Sequence, residues 1–116
     1  MNNSSKKNIF ISTAIDYANA QPHIGHALEK VQADALARHY RLQKRKVFFL
    51  TGTDEHGSKV AETAAKKGVA VADFVEANVQ RFKQLLKVYN ISNDDFISLT
   101  SKPFCSSKFV MVFFEK

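Results

Sequence analysis

His23 and His26 stand three residues apart, with Gly25 between them and Pro22 before them. No other segment of the chain is so well suited to chemistry. At a helix start, free backbone N–H groups and the helix dipole favour an anion. Two imidazoles on one helical turn can face the same ligand. They can donate hydrogen bonds to phosphate oxygens, more strongly when protonated. Gly25 carries no side chain, so a flat group such as adenine can approach the backbone there. Displacement at an α-phosphorus builds charge on equatorial oxygens and on departing pyrophosphate, and positioning plus charge stabilisation is enough to drive it. Two other readings stand beside this one. The histidines can simply cap a helix, or they can form a metal pair, for which no third ligand lies nearby in sequence.

The elements around these residues follow from periodicity. Ile9 to Ile15 begins as a continuous apolar run and predicts a buried strand. Residues 16–22, polar and ending in a proline, predict a loop. A helix is expected to start between His23 and Gly25. Ile24, Leu28, Val31, Ala35 and Leu36 make one apolar face of it, while Glu29, Lys30, Asp34, Arg38 and Arg41 fall largely elsewhere. The basic residues between Arg38 and Lys46 suit the negative end of that helix.

Val47 to Thr51 predicts a second strand, and residues 52–57 a loop opening a second helix that ends at Gly68. A third helix is expected from Asp73, as N-cap, to Tyr89, with Val75, Val79, Phe82, Leu86 and Tyr89 as its stripe. Residues 95–99 suit a short third strand. In the tail, Phe109, Val110, Phe113 and Phe114 suit a helix face capped by Ser106 or Ser107, while Met111 and Val112 on the other side also allow a strand. Strand, loop and helix in alternation predict an α/β fold with a parallel sheet. Ligands of such sheets sit beyond the carboxyl ends of the strands. The segments holding His23 to His26 and Thr53 to Gly57 are therefore expected on one rim.

A length of 116 residues allows one ordinary domain. The net charge of +6 suits a polyanionic partner such as ATP or RNA, and equally a solvated surface rich in lysine. With Cys105 as the single cysteine, no internal disulfide and no cysteine zinc cluster can form. The run Phe109 to Phe114 is too short to span a bilayer, and no signal-type segment follows the polar start. Residues 1–8 read as a flexible arm, and the expected setting is cytoplasmic.

Pro22-His23-Ile24-Gly25-His26-Ala27 matches the signature of class I aminoacyl-tRNA synthetases. Ser12 to Asn19 resembles the first strand and loop of the methionyl-tRNA synthetases, and Thr51 to Gly57 resembles a second characteristic segment of that family. The tetrad alone is shared with related nucleotidyltransferases, whereas the two segments, in this order and spacing, are specific. The resemblance implies the first half of a Rossmann-like catalytic domain over residues 9–116. It implies that His23 and His26 contact ATP phosphates and stabilise the activation transition state, and that Gly25 accommodates adenine. Tyr17 would touch both the nucleotide and the amino acid. Ala14 and Ile15 would line the methionine pocket, and Asp54 would hold the substrate ammonium. These roles suit the chemistry of a carboxylate facing a cation and of an apolar wall facing a thioether. Asp16 departs from the Pro or uncharged residue common in the family, which bears on the shape of that pocket.

The same resemblance implies methionine, ATP with Mg²⁺, and tRNA(Met) as substrates, and no membrane partner. It also marks what residues 1–116 do not contain: a KMSKS-type lysine loop, a zinc-type connective insert, an anticodon-binding domain, and any Trp. The expectation is a piece of a methionine–tRNA ligase, inactive alone. The alternatives are a non-catalytic nucleotide- or RNA-binding remnant, another class I synthetase, and a nucleotidyltransferase.

Overall fold

A computed structural model describes residues 7–98. The expected tail conformation and the environment of Cys105 lie outside them. The elements are β1 (Ile9–Ser12), β2 (Asp16–Tyr17), α1 (Ile24–Leu42), β3 (Val47–Asp54), α2 (Ser58–Lys66), α3 (Val71–Val88) and β4 (Asp95–Ser98). All pairings are parallel, and β3 takes part in each of them. Leu50 is opposed by both Ser12 and Asp95, and Thr53 by both Asp16 and Ser98. Thus β1 and β2 run along one side of β3 and β4 along the other.

The predicted loop over 16–22 therefore contains a short strand. Ser12 faces Leu50 while Asp16 faces Thr53, so residues 13–15 oppose only residues 51–52. One extra residue makes a bulge, a device that bends a strand and re-aims its side chains. The bulge turns Ala14 and Ile15 outward, Ile15 to 42% exposure. The expectation of a strand buried through Ile15 fails for this reason. It fails at Phe10 as well, which is 43% exposed on an edge strand and stacks on Phe48. Further along, β3 continues to Asp54, past the predicted end at Thr51, because β2 and β4 pair with its last residues.

The apolar face of α1 is not the one that meets the sheet. Ile24 and Leu28 are 83% and 58% exposed, and Val31, Ala35 and Leu36 are exposed too. The buried residues are Ala27, Lys30, Asp34 and Ala37. Small alanines let the helix approach closely, and the two charges are buried because both are partnered. The Asp34 carboxylate accepts bonds from the Ser92 backbone N–H at 2.7 Å and from Arg38 Nε at 2.6 Å, and also from the Ser92 hydroxyl. Burial pushes its pKa up, but the hydrogen bonds from Ser92 and Arg38 and the Arg38 charge outweigh this and hold it below 3.8. Arg41 pairs with Asp94 at 2.8 Å, and Asp94 accepts the Phe49 N–H at 2.7 Å. The polar side of α1 thereby anchors the turn that feeds β4.

The core joins Ala18, Val60, Ala64, Phe74, Val75 and Val79, with Tyr17 and Phe96 against it. The stripe of α3 buries Val75, Val79, Phe82 and Leu86 as expected, and adds Phe74 and Asn78. Asn78 is satisfied by donating to Ala18 O at 2.9 Å. Two details differ from expectation. Ala70 is the N-cap, with Asp73 inside the first turn, and Tyr89 is the half-exposed C-cap. Gly68 ends α2 in the left-handed region at φ 67. At Gly52 a Cβ would lie 2.2 Å from Ile97 O, so the β3–β4 approach requires glycine.

Candidate active site

The amino end of α1 is closed by its own histidines. His23 is the N-cap, and its Nδ1 accepts the Gly25 N–H at 3.0 Å. His26 Nδ1 accepts the His23 N–H at 3.0 Å, which completes a reciprocal capping box. The rings lie 3.9 Å apart, and His26 meets the edge of Phe82 from α3. A backbone N–H can only donate, so both Nδ1 atoms act as lone-pair acceptors. The neutral rings then carry their proton on Nε2. Both Nε2–H groups are thereby fixed as donors at a helix start. Gly25 is needed for the cap itself: a Cβ would meet His23 Cε1 at 2.8 Å. The space beside Gly25 is thus filled on that side by an imidazole.

The partner rim is the carboxyl end of β3. Tyr17 sits opposite Asp54 and Asp16 opposite Thr53. The Asp16 carboxylate is 3.9 Å from His26 Nε2, which links the rim to the helix start. Asp54 Oδ1 accepts the His56 N–H at 3.0 Å, a turn-forming bond of the kind Asp often makes. Ala14 is held at both ends: its N–H donates to Glu29 Oε1 at 2.7 Å, and its C=O accepts from Lys30 Nζ at 3.2 Å. His23, Gly25, His26, Tyr17 and Asp54 therefore gather at one end of the sheet, with Ala14 and Ile15 on the adjoining bulge.

Some contributors were not legible in the sequence. Lys30, assigned there to the polar side of the helix, is buried and makes an ion pair with Asp16 at 2.8 Å. Gly57 has φ 133, and a Cβ on it would stand 1.9 Å from the Tyr17 hydroxyl oxygen. Glu55 is buried and accepts from the Thr53 and Ser98 hydroxyls, which ties the ends of β3 and β4 together. The signal for Gly57 was its place before a helix; nothing local marked Lys30. Among the described residues no group of three or more His, Cys, Asp or Glu could hold a metal, and no helix is long and apolar enough to cross a membrane.

A parallel sheet whose carboxyl rim meets a helix start is the α/β architecture in which ligands lie beyond the strand ends. The profile of the family described as tRNA synthetases class I (M) matches residues 9–116, and the chain belongs to that family. It is 50% identical over 93 residues to a methionine–tRNA ligase of Rhizobium meliloti, covering 80% of this chain and 18% of the relative. The Deinococcus radiodurans ligase is 51% identical over 96 residues, at 82% and 14% coverage. A Mycobacterium tuberculosis methionyl-tRNA synthetase solved with methionyl-adenylate superposes with a TM-score of 0.77 at 49% identity, over 79% of this chain and 18% of that one. The fold is thus that of the methionyl-tRNA synthetase catalytic domain, and the chain spans less than a quarter of the length of the relatives it matches.

Proposed function

We propose that this chain supplies the ATP- and methionine-facing part of a methionine–tRNA ligase. In the reaction the methionine carboxylate attacks the α-phosphorus of ATP, which enters as its magnesium complex. A P–O bond forms to the carboxylate, the bond to the β-phosphate oxygen breaks, and pyrophosphate leaves. A hydroxyl of the terminal adenosine of tRNA(Met) then takes the methionyl group and AMP departs. His23 and His26 donate from Nε2 to phosphate oxygens, in a geometry set in advance by their caps, so no reorganisation accompanies the charge build-up. Adenine lies over the open side of the Gly25 backbone. Asp54 binds the ammonium with the oxygen not engaged by His56. Tyr17 bridges the amino acid and the adenylate, and Ala14 and Ile15 line the thioether side.

The observation that carries this reading is the pair of Nε2 donors at the helix start, on the same rim as Asp54. The methionyl-adenylate complex of the mycobacterial relative supports the substrate class. The lysine loop and the tRNA contacts belong to other parts of such an enzyme, so the isolated chain is expected to show almost no methionine-dependent ATP–pyrophosphate exchange. The decisive experiment replaces the matching segment of the Deinococcus radiodurans enzyme with residues 9–98. The chimera should exchange pyrophosphate, and His26→Ala should lower its rate by about 10²–10³-fold, the usual effect of losing one preorganised donor. A chimera indifferent to His26→Ala refutes the assignment.

A further inference from the structure

We infer that Lys30 is a positioning residue of this site: a buried counter-charge that cancels Asp16 beside His26 and holds the 13–15 bulge in place. The inference rests on the reading of His26 as a phosphate donor.

Lys30 is 2% exposed, and lysine is almost never so buried unless paired. Its Nζ lies 2.8 Å from Asp16 Oδ2, 3.2 Å from Ala14 O and 3.5 Å from Glu29 Oε2. The ammonium thus grips the bulge through its backbone at Ala14 and through its far end at Asp16. Stability alone is a poor reason for such an arrangement, because buried ion pairs seldom outperform apolar residues of the same size.

The position of Asp16 supplies a better reason. It is 6% exposed, and its Oδ2 makes the ion pair with Lys30 at 2.8 Å but no hydrogen bond. Its Oδ1 is 3.9 Å from His26 Nε2, the proposed donor to the triphosphate. His26 faces the Asp16 carboxylate from β2, the His23 ring from its own cap and the Phe82 ring from α3. An uncompensated carboxylate there would repel the triphosphate, and burial leaves little solvent to screen it. With Lys30 in place the pair is neutral, and the carboxylate still attracts the Nε2–H and fixes the ring.

The signs of the expected effects separate this role from mere packing. ATP affinity and the His26 ring ¹⁵N signals are measured on the 116-residue chain and on Lys30→Met, Asp16→Asn and the double variant. Lys30→Met should weaken ATP binding about tenfold or more by baring the carboxylate, and Asp16→Asn should tighten it by removing that negative charge and leaving the ammonium opposed only by Glu29. The double variant should return to within about twofold of the parent. The His26 Nε2 signal should move in opposite directions in the single variants and return in the double. Weaker binding in both single variants with additive loss in the double, or His26 signals indifferent to all three, overturns the inference. Should Lys30→Met fail to fold, the tightening in Asp16→Asn and the recovery in the double variant still decide it. A parent chain that binds no ATP counts against the proposed function, while the His26 signals continue to test Lys30.

Discussion

Gly57→Ala is expected to destabilise the protein through two separable effects. The first is backbone strain. Gly57 has φ 133 and ψ 154, a region that glycine alone occupies freely, and an alanine held there costs about 1–3 kcal/mol. The second is steric. The new methyl group would stand 1.9 Å from the Tyr17 hydroxyl oxygen and 3.0 Å from Tyr17 Cζ. No contact of 1.9 Å survives, so the Tyr17 ring must shift, and overpacking of this kind costs about 1–3 kcal/mol. Together they remove about 2–6 kcal/mol, a large fraction of the stability of a small domain.

Tyr17→Phe separates the two effects. It deletes the atom in closest conflict and leaves the backbone strain untouched, since the next contacts stand at 3.0 and 3.5 Å. Urea unfolding of the parent, both single variants and the double variant should show the double less destabilised than the sum of the singles, by about 1–2 kcal/mol. In the chimeric enzyme Gly57→Ala should raise KM for methionine, because the shifted ring is the proposed wall of its pocket. Strictly additive losses would refute the contact with Tyr17, and a loss below about 0.5 kcal/mol would refute the strain as well.

Four further outcomes are expected. Gly52→Ala, whose Cβ would lie 2.2 Å from Ile97 O, should part β3 from β4 and lower the urea midpoint by the equivalent of about 1–3 kcal/mol or more. His23→Ala should remove the helix cap, lowering stability by about 0.5–2 kcal/mol in the same assay in addition to slowing exchange in the chimera. The Asp34 carboxyl is held below 3.8 when folded, so its contribution is complete above that value and is lost as pH falls through the lower folded value. Urea titrations from neutral pH to about pH 3 should show this acid loss in the parent and a shallower one in Asp34→Asn, which starts less stable at neutral pH. Finally, the exposed stripe of Ile24, Leu28 and Val31 should make the isolated chain self-associate in sedimentation equilibrium, and Leu28→Lys should reduce this; a monomer at every concentration would contradict it.

The order of elements and their meeting at one rim were legible in the sequence, because strands and helices of these lengths alternate and leave few topologies. The burial of α1 was not. Periodicity finds an apolar face but does not say which face meets the sheet. Ile24, Leu28 and Val31 form such a face and stay exposed, while Lys30 and Asp34 go inside. Their burial depends on partners remote in sequence: Asp16 for one, and Ser92 for the other, 58 residues away. The bulge at 13–15 was hidden for the same reason, since it exists only as a mismatch of register between two strands. Gly52 and Gly57 likewise show their necessity only beside Ile97 and Tyr17. Local chemistry was easiest to read where a residue's partners are its neighbours in the chain, as at His23, Gly25 and His26.

Those three residues also bring together two readings that looked like rivals. A histidine that caps a helix and a histidine that meets a phosphate need not compete, because the ring has two nitrogens with different tasks. The cap uses Nδ1 as an acceptor, and this use leaves the proton on Nε2, facing away from the backbone that the cap has satisfied. A serine or aspartate could cap as well, yet its capping oxygen would offer no second, oriented donor. Glycine between the rings is then a structural requirement of the cap, since His23 folds into the volume a side chain would fill. The spacing of the two imidazoles follows from the reciprocal cap, in which the His23 ring reaches forward to the Gly25 N–H and His26, the third helical residue, reaches back to the His23 N–H. Helix initiation and a pair of outward-facing N–H donors are therefore supplied by the same two rings, through different nitrogens.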